Sequence, residues 1–156
     1  MVNGTTARKR SSAPERAVEP VDYRLDDQVG FVLRQVTQRH AAIFAAGIDA
    51  DVTPTQWAAL SKLAEVGPLS QNRLGRLTVM DAATVKGVID RLSARALVAT
   101  DPDPTDGRRR VVSLTEAGLA LVDRLVPAAF RITAETLAPL DDSERVALQA
   151  LLLKLR

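Results

Sequence analysis

Apolar residues recur at helical spacing through most of this chain, and one internal stretch breaks into the shorter period of strands. From Leu25 onward, Val29, Val32, Leu33, Val36, His40, Ile43, Phe44 and Gly47 fall on one face, while Arg34, Gln35 and Gln38 lie largely off it. This predicts an amphipathic helix of about 22 residues. Asp22, Asp26 and Asp27 sit near its positive end, and Gly47 offers a stop. Thr53-Pro54 opens a second helix, because threonine caps well and proline suits the first helical position. Trp57, Leu60, Leu63 and Ala64 form its expected buried side, and Gly67-Pro68 ends it. A short third helix, capped by Ser70, carries Leu74 and Leu77. After a turn at 78–80, a fourth spans 82–94 behind Asp81 and directs Val85, Val88, Ile89 and Leu92 inward.

The period then changes. Residues 97–100 and 109–114 are short runs rich in β-branched residues, separated by turn formers that include an Asp-Gly step, which predicts a hairpin with a protruding loop. From Thr115 the helical stripe returns as Leu119, Val122, Leu125, Val126 and Phe130, followed by Leu137. Pro127 within it is expected to kink or divide the helix. A last helix begins near Asp141-Asp142-Ser143 and carries Val146, Leu148, Leu151, Leu152 and Leu155. The fold class is mainly α with a small β-hairpin, an α+β chain of 156 residues. Residues 1–20, rich in Ser, Pro, Gly and charge, read as a disordered tail ahead of a single domain at 21–156.

Composition removes several function classes. Cysteine is absent, which excludes disulfides and thiol redox switching, and His40 is the single histidine, so no metal site is expected. No apolar run is long enough for a membrane span, and the expected address is the cytoplasm, in association with the nucleoid. Neither G-x-S-x-G nor a glycine-rich phosphate loop occurs, so no catalytic residues and no cofactor are assigned. The net charge of +2 is unevenly distributed: residues 67–114 hold eight Lys or Arg against five Asp or Glu, while 21–66 hold four against six. A basic middle between mildly acidic flanks suits a nucleic-acid reader.

Three short helices followed by a hairpin form the order of a winged helix-turn-helix, in which a braced second helix enters the major groove. On the helix at 82–94, Ala83 and Gly87 permit close approach, Thr84 reaches a base or a thymine methyl, and Lys86 reaches a guanine edge or a phosphate, with Arg91 also off the apolar face. Ser70, Gln71 and Arg73 suit phosphate oxygens. Arg108, Arg109 and Arg110 follow the hairpin tip and alternate in direction along an extended ribbon. Arg108 is assigned to the minor groove and Arg109 or Arg110 to phosphate, with Asp106 pairing to Arg108.

The string Asp106-Gly107-Arg108-Arg109-Arg110-Val111-Val112-Ser113-Leu114-Thr115-Glu116-Ala117-Gly118 resembles the wing signature D-x-R-x-x-x-(V/L)-x-L-T-x-x-G of the multiple antibiotic resistance regulator (MarR) family. Ala83-Thr84-Val85 through Asp90-Arg91-Leu92 to Ala96-Leu97-Val98 resembles its recognition helix and the exit into the wing. The resemblance spans about residues 25–155. It implies a homodimer built on helices within 21–50 and 115–156, a DNA-binding lobe at 53–114, a palindromic duplex operator, and a ligand pocket between lobe and dimer helices. Pro127 departs from the family pattern.

Since that resemblance places the first helix beside a ligand pocket, His40 has two open roles. It is either an interface histidine bonded to backbone or, with Arg39 and Phe44, part of a site for a small aromatic carboxylate. Trp57 either closes that pocket or belongs to the core. Leu33-Arg34-Gln35 through Gln38-Arg39-His40-Ala41-Ala42-Ile43-Phe44, together with residues 83–92, is similar to regulators of nicotinic acid breakdown within the family, which implies a hydroxylated pyridine carboxylate as effector. The expected function is a repressor released by such an effector. The alternatives are a winged-helix protein-interaction module and a small hydrolase using His40.

Overall fold

A computed structural model describes residues 22–48, 51–103, 106 and 110–156. The tail read at 1–20 and the tip arginines Arg108 and Arg109 lie outside the described residues. A 3-10 turn at Leu25–Asp27 precedes helix α1 (Val29–Gly47), so the first helix begins later than its apolar pattern does. Helix α2 (Pro54–Val66) opens with a reciprocal cap: the Thr53 hydroxyl accepts from Gln56 N, and the Gln56 side chain accepts from Thr53 N.

Strand β1 (Leu69–Ser70), helix α3 (Gln71–Leu77), helix α4 (Ala82–Ala94), strand β2 (Val98–Pro102) and strand β3 (Arg110–Leu114) complete the lobe. The sheet has three strands rather than two. β3 is central, with β2 on one side in the expected hairpin register, Val98 opposite Leu114, and β1 on the other, Leu69 opposite Val112. Two residues give β1 no readable period, and only its pairing to distant β3 makes it a strand.

Helix α5 (Glu116–Thr136) runs through Pro127 as one helix, where division was an open expectation. Proline removes one N–H donor. Its neighbours Leu125, Ala128 and Ile132 are buried in the core, and that packing holds the helix together on either side. Helix α6 (Asp142–Lys154) opens with a capping box between Asp141 and Glu144.

The largest fully buried side chains among the described residues are Leu60, Val85, Val88, Leu74, Leu92, Val112 and Leu125, drawn from α2, α3, α4, α5 and β3. Each buried leucine contributes roughly 1.5–3 kcal/mol by transfer alone. Phe44 and Ile48 bring the end of α1 to this core, whereas Val29, Val32, Leu33 and Val36 stay exposed. Ala64, expected inside, is exposed as well, and so is Leu77 on α3.

One junction fixes the lobe to α5. Thr115 Oγ1 accepts from Gly118 N at 3.0 Å to cap α5 and donates to Ala96 O at 2.7 Å. Thr115 N meanwhile donates to Leu97 O at 3.2 Å. The Leu97 carbonyl lies so close to Gly118 that a Cβ there would stand 2.0 Å from its oxygen. The turn before α4 holds a different constraint. Val79 has φ 54°, in the left-handed region that β-branched residues rarely enter, and its side chain is 90% exposed.

Three outcomes follow from these contacts. Gly118→Ala should lower stability by about 3 kcal/mol in a urea melt at fixed protein concentration, because the backbone it strikes cannot yield cheaply. Val79→Asn should raise it by about 1 kcal/mol, since asparagine tolerates the left-handed region and no packing is lost. At Asp81, the N-cap of α4, the hydrogen bond from Thr84 N holds the carboxyl below its ordinary range. A lowered folded value means that stability is present above the unfolded value and lost as pH falls through the folded one. Asp81→Ala should therefore lower the melting temperature at neutral pH and lose that effect in acid, whereas Asp81→Asn should keep the cap without the pH dependence.

Candidate nucleic-acid interface and effector pocket

Helix α4 is amphipathic in the sense that DNA reading requires. Val85, Val88, Ile89 and Leu92 are buried against the lobe, while Ala83, Thr84, Lys86 and Arg91 are exposed. The reason is local: the buried set recurs at three- and four-residue spacing, so everything between faces out. Asp81 Oδ1 accepts from Thr84 N at 2.7 Å and fixes where the helix starts. Gly87 is half-buried because the Arg91 guanidinium lies over it, and a Cβ at Gly87 would meet Arg91 at 3.5 Å. Lys86 Nζ is paired with Asp90 Oδ2 at 2.6 Å, with both side chains largely in solvent. An exposed pair of this kind is weak, so Lys86 is available to a stronger anion.

Ser70 caps α3 by accepting from Arg73 N, which places Arg73 and Gln71 in the first turn, Arg73 exposed and Gln71 partly buried. On the wing, Arg110 donates to the Thr100 carbonyl at 3.2 Å across the hairpin. Asp106 is partly buried; the partner expected for it, Arg108, lies outside the described residues. Ala83, Thr84, Lys86 and Arg91 of α4 and Arg73 of α3 are thus exposed, while Arg110 braces the wing.

The other set of candidates divides. His40, Phe44 and Trp57 line a cavity of about 180 Å³, together with Pro54 from the start of α2 and Ala129, Ile132 and Thr133 from α5. Arg39 does not line it. Its guanidinium donates to Thr136 O at 2.7 Å and Glu135 O at 3.1 Å, at the negative end of α5. The imidazole Nδ1 of His40 lies 2.9 Å from Thr136 Oγ1, a side chain rather than the backbone partner considered from sequence. The α5 wall of the pocket escaped sequence reasoning, although Ala129, Ile132 and Thr133 fall on one helical face at spacings of 3 and 4, which Thr136 beside His40 continues. Among the described residues no cluster of His, Asp and Glu could hold a metal, and no helix is long and apolar enough to cross a membrane.

The comparisons with known proteins agree with this geometry. Residues 50–109 match the MarR family model. The chain is 42% identical over 146 residues to the HTH-type transcriptional repressor NicR of Pseudomonas putida, covering 93% of this chain and 90% of the relative. A crystal structure of a probable transcriptional regulator from Pseudomonas aeruginosa superposes with a TM-score of 0.82 at 56% identity, over 85% of this chain and all of that one. Bordetella bronchiseptica BpsR, whose DNA binding is regulated by 6-hydroxynicotinic acid, superposes with a TM-score of 0.83 at 43% identity, over 86% of this chain and 97% of its own. With the lobe, the wing and the helical frame all in place, the chain belongs to the MarR family of winged-helix transcriptional regulators.

Proposed function

We propose that this protein is a homodimeric repressor that binds a palindromic duplex operator and is released by a small hydroxylated aromatic acid. The observation that carries the DNA-binding half is the outward face of α4, thin at Ala83 and Gly87 and cationic at Lys86 and Arg91, braced by α3 against a buried core. Residues 53–114 are the reading lobe, with Arg110 on strand β3 of its wing. Residues 21–50 and 115–156 form the dimerising frame. Val29, Val32 and Val36 on α1, Leu119, Val126 and Phe130 on α5, and Leu151–Leu153 on α6 are all exposed. Exposed large apolar residues on all three helices of the frame support a partner surface there.

The pocket supports the effector half, since its walls come from the dimer helices α1 and α5 and from α2 of the reading lobe. Paired recognition helices must stand about 34 Å apart to meet successive turns of the major groove. A ligand that binds better at another spacing weakens DNA binding by linkage. The relatives named above support the chemical class. His40 has its Nδ1 on a threonine hydroxyl and not on a carboxylate, which favours a binding role over a hydrolytic one.

The test is fluorescence anisotropy on a duplex from the upstream region against a scrambled one, at two salt concentrations. Binding at two chains per duplex should favour the upstream sequence and fall by about a thousandfold between roughly 50 and 200 mM salt. Lys86→Ala should weaken it at both salts, because Asp90 is then left uncompensated before the phosphates, and adding Asp90→Asn should restore part of the loss. Absence of DNA binding at low salt would leave the protein-interaction module as the reading. His40→Ala should lower the affinity of a hydroxylated aromatic acid; an unchanged affinity would remove the pocket from the account.

A further inference from the structure

His40 is the single histidine of the chain, and its neighbour on α5 decides which ring nitrogen carries a proton. Nδ1 lies 2.9 Å from Thr136 Oγ1. That hydroxyl has one proton, and the Ile132 carbonyl oxygen 2.8 Å away can only accept it. With its proton on Ile132 O, Thr136 presents lone pairs to the imidazole, and Nδ1–H is the donor. In the neutral ring the other nitrogen, Nε2, is then a bare acceptor.

Thr133, one turn earlier on the cavity wall, repeats the arrangement, since its hydroxyl donates to Ala129 O at 3.1 Å. Both threonines spend their protons on their own helix and keep lone pairs. The Arg39 guanidinium is occupied at the end of α5. The rest of the lining is alkyl and aromatic, apart from the Trp57 indole N–H. The volume of about 180 Å³ suits one six-membered ring, because an apolar cavity of about 150 Å³ takes up benzene.

We propose that this pocket selects a single aromatic ring bearing a hydroxyl or ring N–H donor, which donates to His40 Nε2. Thr136 is the positioning residue that keeps His40 in the accepting tautomer. This rests on the effector reading given above and adds which end of the ligand the histidine recognises. The carboxylate of an aromatic acid lies away from His40, because an anionic oxygen there would face a lone pair.

The test uses full-length protein at about pH 8, where an ordinary imidazole is neutral. A long-range proton–nitrogen-15 spectrum shows the tautomer of His40 without assignment. Calorimetry compares 6-hydroxynicotinate with nicotinate, which lacks only the hydroxyl. The expected result is a protonated Nδ1 and a bare Nε2, with nicotinate about tenfold weaker. Thr136→Val should abolish that discrimination and Thr136→Ser should retain it. A protonated Nε2 in the wild-type protein, or discrimination unchanged in Thr136→Val, would overturn the proposal while leaving the effector reading intact. A protein that binds DNA but neither ring would overturn the effector reading, and this inference with it.

Discussion

The contact between Leu97 and Gly118 is the constraint on which the rest of the structure depends. It joins the exit of the recognition helix, the base of the wing and the first turn of α5 within one hydrogen-bonded knot, in which Thr115 uses its hydroxyl twice. A side chain at position 118 would push the helix off the Leu97 carbonyl. The backbone would then lose the short lever that ties the direction of α4 to the direction of α5. The Leu-Thr-x-x-Gly string therefore has a mechanical meaning: a cap, a bridge and a missing Cβ, all at one point.

That tie matters because the two ends of the molecule have opposite surfaces. The lobe buries most of its apolar residues and presents the polar face of α4 to water. The frame of α1, α5 and α6 leaves its apolar stripes uncovered in the single chain. Such stripes are costly in water and are relieved when a second copy covers them. The pocket lies where these two parts meet, with α2 supplying Pro54 and Trp57 and the frame supplying the rest. A ligand there bears on both parts at once, which is the geometry that linkage between effector and DNA requires.

The neighbouring residues Arg39 and His40 show how far identity can stand from role. Both were candidates for one ligand. Arg39 instead donates to two carbonyls at the end of α5, and His40 bonds to Thr136 on the same turn. Of the two, only His40 lines the pocket, where the bare sequence had put both side chains at one ligand.

Local chemistry alone determined much of this protein. The caps at Thr53, Ser70, Asp81 and Asp141, the inward set of α4 and the β2–β3 hairpin all depend on residues a few positions apart, where spacing and side-chain type decide the outcome. Tertiary structure decided the remainder. Strand β1 exists because β3 pairs with it across more than forty positions, and α5 survives Pro127 because its flanks are buried. The pocket forms because α5 returns against α1, bringing Thr136 to His40 from 96 residues away. No pattern of hydrophobic period encodes such meetings, because period places a residue on a face and only packing decides what that face touches.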